Sequence, residues 1–184
     1  LLIGATTPGV IRHLLRHPVD RIDLLEIDRR AIRVLRPLLP GEDDRALADP
    51  RVRIIHDDPR RYLSRGPATP SDRYDLIVLL EPPPVTLLLA RLSTVEFYRL
   101  CAARLAPDGA LVVRLDLPPN VLTGESAALG GSIWAALREV FGKVDFIALP
   151  TIQTTPLPIP PNLKIGILEA RMLKLQNTVA VNFA

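Results

Sequence analysis

LLIGATTPGVIRHLLRHPVDRIDLLEID, residues 1–28, is the stretch that decides the fold. It opens with a short apolar run, Leu1–Ile3, and the turn-forming residues of Gly4–Gly9 follow. Apolar residues then recur at helical spacing from Val10, and a second apolar run occupies Ile22–Ile27. The pattern predicts a strand, a tight loop, a helix and a second strand in that order.

Composition limits the classes of protein that the chain can represent. With 184 residues, 48% of them hydrophobic, the chain can form one domain with a sizeable core. No window approaches the roughly 20 consecutive apolar residues of a membrane span. The net charge of +3 suggests an acidic partner, but the arginines are scattered and aromatic residues make up only 4%. A nucleic-acid surface is therefore not expected.

The remaining sequence alternates apolar runs with helical patterns. We predict strands at Val52–Ile55, Leu76–Leu80, Ala110–Leu115 and Val144–Leu149, and helices at Asp28–Leu39, Arg60–Ser64 and Glu125–Phe141. A further helix, with Ser93 or Thr94 as its cap, is predicted to run to about Leu105. Strands that alternate with helices indicate an α/β protein with a mostly parallel sheet and helices on both faces. Such sheets bind ligands at the carboxyl ends of their strands.

The segments between these elements are expected to form turns, a loop and one short core element. Pro40 and Gly41 are expected to stop a helix, and the acidic stretch Glu42–Pro50 is loop-like. Pro107–Gly109 is expected to turn the chain into the strand that follows. Leu87–Ala90 has the length of a core helix or core strand.

The end of the chain has a different character. We assign residues 1–150 to a nucleoside-binding type of domain and residues 151–169 to a proline-rich segment and final strand of the same domain. Residues 170–184 have no clear period, and the alternatives for them are an edge hairpin, an arm that contacts a protein partner and a disordered tail. We favour an arm, whose role the sequence does not define. The chain starts without Met and inside a strand, so we expect sequence upstream of it.

Some chemically suggestive residues have ordinary structural explanations. His13 and His17 lie four residues apart on a helix, but no third ligand is apparent, so a metal site is not expected. Cys101 is the only cysteine and is expected to be a buried thiol. Asp23 and Asp28 lie at element boundaries, where capping and solvent account for a carboxylate.

The loop after the first strand is the first place where the residues point to chemistry. Gly4 and Gly9 permit close approach of the backbone to a ligand, and a helix amino terminus offers free N–H groups. Glu26 ends the second strand, where a carboxylate can accept both hydroxyl groups of a ribose. This combination, within one strand-helix-strand unit, indicates a nucleoside site.

The stretch Leu1–Asp28 resembles the opening of the spermidine synthase family, the polyamine aminopropyltransferases. The resemblance continues in order through DPRVRIIHDDPRRYL, RYDLIVLLEPPP, STVEFYRLCAARLAPDGALVVRL and TIQTTPLPIPPNLKIGIL, and so covers about residues 1–168. It implies a Rossmann-like, methyltransferase-type fold that binds decarboxylated S-adenosylmethionine. LDLPPNVLTGESAALGGSIWAALREVF resembles the long bacterial members, which carry a membrane portion before this domain.

The resemblance also implies roles for individual residues. It places Glu26 on the nucleoside ribose and Asp58 near the adenine amino group. Asp57 stands where the family usually has glycine, which adds a negative charge close to the nucleoside.

The chain departs from the family pattern in the loop and at the catalytic positions. Ala5–Pro8 replaces a glycine-rich segment, and Thr155 replaces a tyrosine. Leu80 and Pro83 occupy the positions of two aspartates that activate and hold the amine. Neither replacement can accept a proton. Glu81 is the nearby candidate base, but alternation along a strand aims it elsewhere unless the strand end twists, and we expect a solvated carboxylate.

Two functional classes follow. The loss of both aspartates favours a non-catalytic binding or structural subunit of a larger assembly, with a protein partner or a second copy of the chain. The alternative is an active aminopropyltransferase that transfers an aminopropyl group to a diamine such as putrescine, with Glu81 as base. An ordinary methyltransferase is less favoured, because nothing identifies an acceptor pocket.

These classes imply ligands and a cellular location. The expected ligand is decarboxylated S-adenosylmethionine or S-adenosylmethionine, or none at all in a purely structural subunit. The expected location is the cytoplasm or the cytoplasmic face of a membrane.

Overall fold

The central feature of the fold is a five-stranded parallel sheet. The structure is a computed structural model and describes residues 1–4, 9–67, 69, 72–82, 84–114 and 124–142. Two compact units are present, of which the first contains residues 1–114 and 133–142 and the second contains residues 124–132. The sheet belongs to the first unit.

The predicted elements appear in the predicted order, with one additional helix where a loop was expected. The strands are β1 (Leu2–Ile3), β2 (Ile22–Leu25), β3 (Val52–Ile55), β4 (Tyr74–Leu79) and β5 (Leu105–Val113). The helices are α1 (Val10–Leu14), α2 (Arg29–Leu35), α3 (Gly41–Leu47), α4 (Pro59–Ser64), α5 (Leu87–Ala90), α6 (Val95–Arg104) and α7 (Gly124–Phe141), and a 3-10 turn covers Arg36–Leu38.

Strand β1 is short but lies at the centre of the sheet, whose order is β3-β2-β1-β4-β5. Leu2 pairs with Leu24 of β2 on one side and with Val78 of β4 on the other. All pairs are parallel, so the α/β prediction is confirmed. From β1 the chain builds outward to β3 and then returns to β4 on the opposite side of β1. This reversal creates a crevice at the carboxyl ends of the central strands.

The core lies between the sheet and the first helices. One buried cluster comprises Leu2, Ile11, Ile22, Leu24, Ile32, Ala46 and Val78. Its members come from three strands and three helices, so burial of apolar surface holds α1, α2 and α3 on the sheet. The sequence pattern of residues 1–28 therefore determines the centre of the core as well as the centre of the sheet.

Helix α3 corrects the prediction of a loop at Glu42–Pro50. Pro40 is the N-cap, so the Pro-Gly pair begins this helix. Three acids occupy its first turn, where the helix dipole favours negative charge. One of them, Asp43, is buried and forms an ion pair with Arg12 of α1. The acidic composition that suggested a loop therefore stabilises a helix start.

Two further corrections concern β5 and α5. Strand β5 begins before the predicted turn, at Leu105, and the residues of Pro107–Gly109 form an irregularity inside the strand. A side chain at Gly109 would place Cβ 2.8 Å from the Tyr74 carbonyl, so glycine permits this close approach. Helix α5 does not lie in the core, because Leu87 is 92% exposed and Leu88 is 62% exposed.

Helices α6 and α7 form where the sequence predicts them. Thr94 caps α6 by accepting a hydrogen bond from the Phe97 N–H, and Cys101 on this helix is fully buried as expected. No helix in the described part of the chain is long and apolar enough to cross a membrane. The predicted strand at 144–149, the segment 151–169, Thr155 and the arm at 170–184 lie outside the described residues.

Candidate functional site

A cavity of about 210 Å³ opens at the carboxyl ends of β1, β2 and β4. This is the place that the strand order predicts for a ligand. Its lining combines apolar side chains with two carboxylates and one guanidinium, which suits an amphipathic ligand better than a purely apolar one. The lining residues are Gly4, Leu25, Glu26, Ile27, Pro59, Glu81, Pro82, Leu88, Leu89, Arg91 and Leu92.

Glu26 is held firmly at the end of β2. Only 8% of the residue is exposed, and its Oε1 accepts a hydrogen bond from the Asp28 N–H at 2.9 Å. Its backbone carbonyl accepts a hydrogen bond from Nδ1 of His56, at 3.1 Å, and its N–H donates to the Ile55 carbonyl. Glu26 therefore lines the cavity in a fixed position.

Glu81 lies beside Gly4, and both residues line the cavity. Gly4 has φ +76, and a Cβ built there would lie 2.7 Å from Cδ of Glu81. Burial raises the pKa of Glu81, and the negative charge of Glu26 raises it further. The expectation of a solvated carboxylate that points away from the site was wrong, because the residue folds over Gly4 into the crevice.

Asp58 approaches the cavity through an ion pair. Its side chain caps α4 by accepting the Arg61 N–H, and it pairs with the guanidinium of Arg91, which lines the cavity. Burial alone would raise the pKa of Asp58, but the hydrogen bond from Arg91 and the other donors outweigh it and lower the pKa. Asp58 itself is not among the residues that line the cavity.

Asp57 faces arginines rather than the cavity at the carboxyl ends of the strands. The residue is buried, and its carboxylate forms ion pairs with Arg61 and Arg65. Burial would raise its pKa, but the hydrogen bond from Arg61 and the nearby charges lower it. The extra negative charge predicted near the nucleoside is therefore balanced by two guanidinium groups, and Asp57 does not line the cavity.

The two predicted loop glycines are not equivalent. Gly4 lines the cavity, whereas Gly9 is the N-cap of α1 with φ +90 and is nearest to Arg12, His13 and Asp43. Gly9 is thus required by the backbone turn into α1. Ala5–Pro8, which joins the two glycines, lies outside the described residues.

Leu80 occupies the first of the two positions where the family resemblance expects an aspartate. It packs against the core cluster around Leu2 and Val78, and its N–H donates to the Ile3 carbonyl. An apolar side chain in this place contributes to the core and offers no acceptor for a proton. Pro83, the second such position, lies outside the described residues.

Arg91, Leu89 and Leu92 were missed by the sequence analysis as site residues. Leu89 belongs to the short helix α5, whose N-cap is Thr86, and Arg91 and Leu92 follow that helix directly. The sequence does contain a helix-start signal, because Thr86 lies between the proline run and four helix-forming residues. Nothing in the sequence, however, indicated that this helix lies next to the cavity.

Comparison with known proteins identifies the family. The model of the spermine/spermidine synthase domain matches residues 1–121. The chain belongs to the spermine/spermidine synthase family. The resemblance stated from the sequence segments is thereby confirmed, and the parallel sheet agrees with it.

Curated relatives of this family member are polyamine aminopropyltransferases. The protein of Mycobacterium tuberculosis strain H37Rv is 35% identical over 171 residues, which is 88% of this chain and 32% of the relative. The protein of Korarchaeum cryptofilum is 32% identical over 143 residues, which is 78% of this chain and 41% of the relative. The chain therefore spans well under half of the length of these relatives.

Solved structures share the fold. A spermidine synthase crystallised with the transition-state analogue AdoDATO matches with a TM-score of 0.66 and 23% identity, over 77% of this chain and 45% of that one. The spermidine synthase of Thermotoga maritima matches with a TM-score of 0.62 and 24% identity, over 76% and 43%. These matches show that the chain has the fold of spermidine synthases, as the sequence resemblance predicted.

Proposed function

We propose that this family member binds a cationic adenine nucleoside, decarboxylated S-adenosylmethionine or S-adenosylmethionine, and does not transfer its aminopropyl group. In this proposal it acts as a binding or structural subunit of a larger assembly. The observation that carries the proposal is the position of Leu80, which packs into the core where the family resemblance expects the proton acceptor. The relatives that are aminopropyltransferases supply the class of ligand.

The charges of the cavity support a cationic ligand. Glu26 and Glu81 are two carboxylates in one crevice, and burial and mutual repulsion raise the pKa of Glu81. The only guanidinium among the described lining residues, that of Arg91, is paired with Asp58. A sulfonium or ammonium group beside Glu81 would relieve the repulsion, while the fixed carboxylate of Glu26 suits ribose hydroxyl groups.

The apolar part of the lining supports an aromatic base. Leu25, Ile27, Leu89 and Leu92 provide an apolar wall next to these acids. A nucleoside has a flat ring and a hydroxylated sugar, so it can use both parts of the lining. The residues present therefore fit the nucleoside moiety, and the close space beside Gly4 is already filled by Glu81.

Calorimetric titration tests the binding part of the proposal. We expect the wild-type protein to bind decarboxylated S-adenosylmethionine more tightly than the neutral methylthioadenosine. Glu81→Gln should reduce the affinity for the cationic ligand by about tenfold and leave that for methylthioadenosine unchanged. Glu26→Gln should weaken both, because the ribose is common to them. Absence of binding by either ligand would leave only a structural role.

A putrescine turnover assay with decarboxylated S-adenosylmethionine tests the non-catalytic part. No product is expected above the rate without protein. The second candidate function is an active aminopropyltransferase with Glu81 as general base, and it is favoured by the raised pKa of Glu81, since a raised pKa makes a carboxylate a stronger base. Turnover that Glu81→Gln abolishes even at saturating decarboxylated S-adenosylmethionine, with affinity for methylthioadenosine retained, would establish that alternative.

A further inference from the structure

A second cavity, of about 360 Å³, lies away from the nucleoside site. It is lined by Arg21, Arg53, Tyr62, Arg65, Gly66, Asp72, Tyr74 and Arg104, none of which lines the first cavity. Arg53 is the second residue of β3, and Tyr74 is the first residue of β4. The cavity therefore opens near the amino ends of these strands, whereas the nucleoside site lies at the carboxyl ends.

Positive charge exceeds negative charge around this second cavity. Asp23 is shared by Arg53, which binds it through two hydrogen bonds of 2.9 Å, and by Arg21 at 3.4 Å. Asp57 is likewise shared by Arg61 and Arg65. Each carboxylate thus serves two guanidinium groups.

Asp72, the remaining acid of the cavity lining, interacts electrostatically with both Arg21 and Arg104, and its single negative charge does not balance the two. Asp72 accepts hydrogen bonds from the N–H and the hydroxyl group of Thr69, both at 2.9 Å. The hydroxyl group of Tyr74 is also committed, since it donates to Asp23 at 2.7 Å. The lining of this cavity therefore has more hydrogen-bond donors than acceptors and more positive than negative charge.

Arg104 is the buried member of this wall. Only 6% of the residue is exposed, and its guanidinium lies over the rings of Tyr62 and Tyr74, with Cζ 5.2 and 5.4 Å from the ring centroids. One N–H group donates to the Gly66 carbonyl, but Nε has no hydrogen-bond partner among the described residues. Asp72 interacts with Arg104 electrostatically, but no described carboxylate forms a direct ion pair with it. A buried guanidinium with an unused donor and no direct ion pair is costly unless an anion compensates it.

The exposed members of the wall can reach a ligand. The side chains of Arg53 and Arg65 are 57% and 59% exposed, so their guanidinium groups retain donors that face solvent. Planar guanidinium groups bind phosphate oxygens through paired hydrogen bonds. The two aromatic rings hold Arg104 in a fixed orientation behind them. We infer that this arginine-lined cavity is a binding site for a phosphate group, separate from the nucleoside site.

The test uses calorimetry at constant ionic strength with three probes: inorganic phosphate, glycerol 3-phosphate, and phosphatidylcholine vesicles that contain phosphatidylglycerol. Saturable binding of either small molecule would identify a soluble phosphate compound as the ligand, and binding of the vesicles alone would identify a lipid headgroup. Both outcomes support recognition of a phosphate group. Binding of none of the three probes would overturn the inference.

Matched arginine variants locate the site. Arg65→Gln should weaken binding of the responding probe by about tenfold, because a charge-assisted hydrogen bond is lost. Arg99→Gln is the control. The side chain of Arg99 is 60% exposed and paired with Glu139, and that of Arg65 is 59% exposed and paired with Asp57, so the two sites are alike. Equal effects of the two variants, or no effect of Arg65→Gln, would overturn the inference.

The folded state of the variant and its nucleoside site provide a further check. Asp57 retains Arg61 when Arg65 is replaced, so Arg65→Gln should unfold at nearly the same temperature as the wild type. Affinity for decarboxylated S-adenosylmethionine should also be unchanged, because Arg65 does not line that cavity. Loss of nucleoside affinity together with phosphate affinity would indicate general disruption and would overturn the inference.

Discussion

Gly4 and Glu81 are in direct contact at the carboxyl end of the central strand. A Cβ on residue 4 would lie 2.7 Å from Cδ of Glu81 and 2.9 Å from its backbone nitrogen. This close packing places the Glu81 carboxyl group at the carboxyl end of the central strand, in the same cavity as Glu26. The backbone conformation of Gly4 after β1 and the position of the Glu81 carboxylate after β4 therefore depend on each other. Substitution of either residue tests this relationship.

Gly4→Ala should destabilise the protein by about 1–3 kcal/mol or more, because φ at this residue is +76 and the added methyl group meets Glu81. Urea unfolding measures the change. Gly66→Ala is the matched control: its φ is +69, but nothing lies within 4 Å of its Cβ. The two variants share backbone strain, so an equal loss of stability in both would show that the contact with Glu81 contributes nothing.

Glu81→Gln should make the stability of the protein less dependent on pH. The folded-state pKa of Glu81 is raised above its usual 4.5, so the folded state favours the protonated form. The contribution of this group to stability is full below pH 4.5 and is lost as pH rises through the folded pKa. Glutamine resembles the protonated acid, so the variant should be more stable than the wild type at pH 7, and the difference should disappear towards pH 4.

The control for that measurement is Glu125→Gln, which removes an exposed carboxylate from the first turn of α7. Its difference from the wild type should not follow the same pH course. A Glu81→Gln variant that is less stable than the wild type at pH 7 would show that burial and the charge of Glu26 do not destabilise the ionised carboxylate.

Leu80→Asp, which introduces the acid that the family resemblance expects, should destabilise the protein by about 2–4 kcal/mol, since Leu80 packs against the core cluster. Thermal and urea unfolding provide the measurement. Leu87→Asp is the control, because Leu87 is 92% exposed and its replacement should change stability by about 0.5 kcal/mol or less. A stable Leu80→Asp variant would mean that residue 80 can turn towards the cavity.

Tyr74→Phe should destabilise the protein by about 1–3 kcal/mol, because its hydroxyl group donates to the fully buried Asp23. Burial would raise the pKa of Asp23, but hydrogen bonds from Arg53 and Tyr74 outweigh it and lower the pKa below its usual 3.8. The stability that this carboxylate contributes is therefore present above pH 3.8 and lost as pH falls through the folded pKa.

The difference between Tyr74→Phe and the wild type should accordingly be largest above pH 3.8 and narrow in stronger acid. Tyr62→Phe is the comparison, since it removes only the 2.6 Å bond between the two tyrosine hydroxyl groups and leaves Asp23 with its donors. A constant difference at all pH values would show that Tyr74 acts through packing alone.

The sequence allowed the main elements to be predicted because their signals are local. The alternation of apolar runs with helical spacing indicated a parallel α/β sheet, and Thr94 and Asp28 were recognisable as helix caps. The family resemblance located Glu26 at the edge of the cavity, although its proposed contact with ribose stays a prediction. Asp57 and Asp58 follow β3 as expected, but their carboxylates are engaged by arginines outside the lining of the cavity.

Errors arose where distant residues decide the environment of a side chain. Asp23 was expected to be an ordinary boundary carboxylate, yet it is buried between Arg53 and Tyr74, which are 30 and 51 residues away. Glu42–Pro50 was expected to be a loop, yet its residues up to Leu47 belong to α3, which packs on α1 and pairs with Arg12 of that helix. No local pattern reveals such partners.

The sequence alone determined the order of strands and helices, the central place of residues 1–28, and the absence of an acid at Leu80, since periodicity and residue type are properties of the chain itself. The tertiary structure decided which charges meet. It brought Glu81 over Gly4 and beside Glu26, and it gathered four arginines around a second cavity. The physical reason is that burial and electrostatic interaction depend on distances through space, which are set when the sheet and its helices pack together.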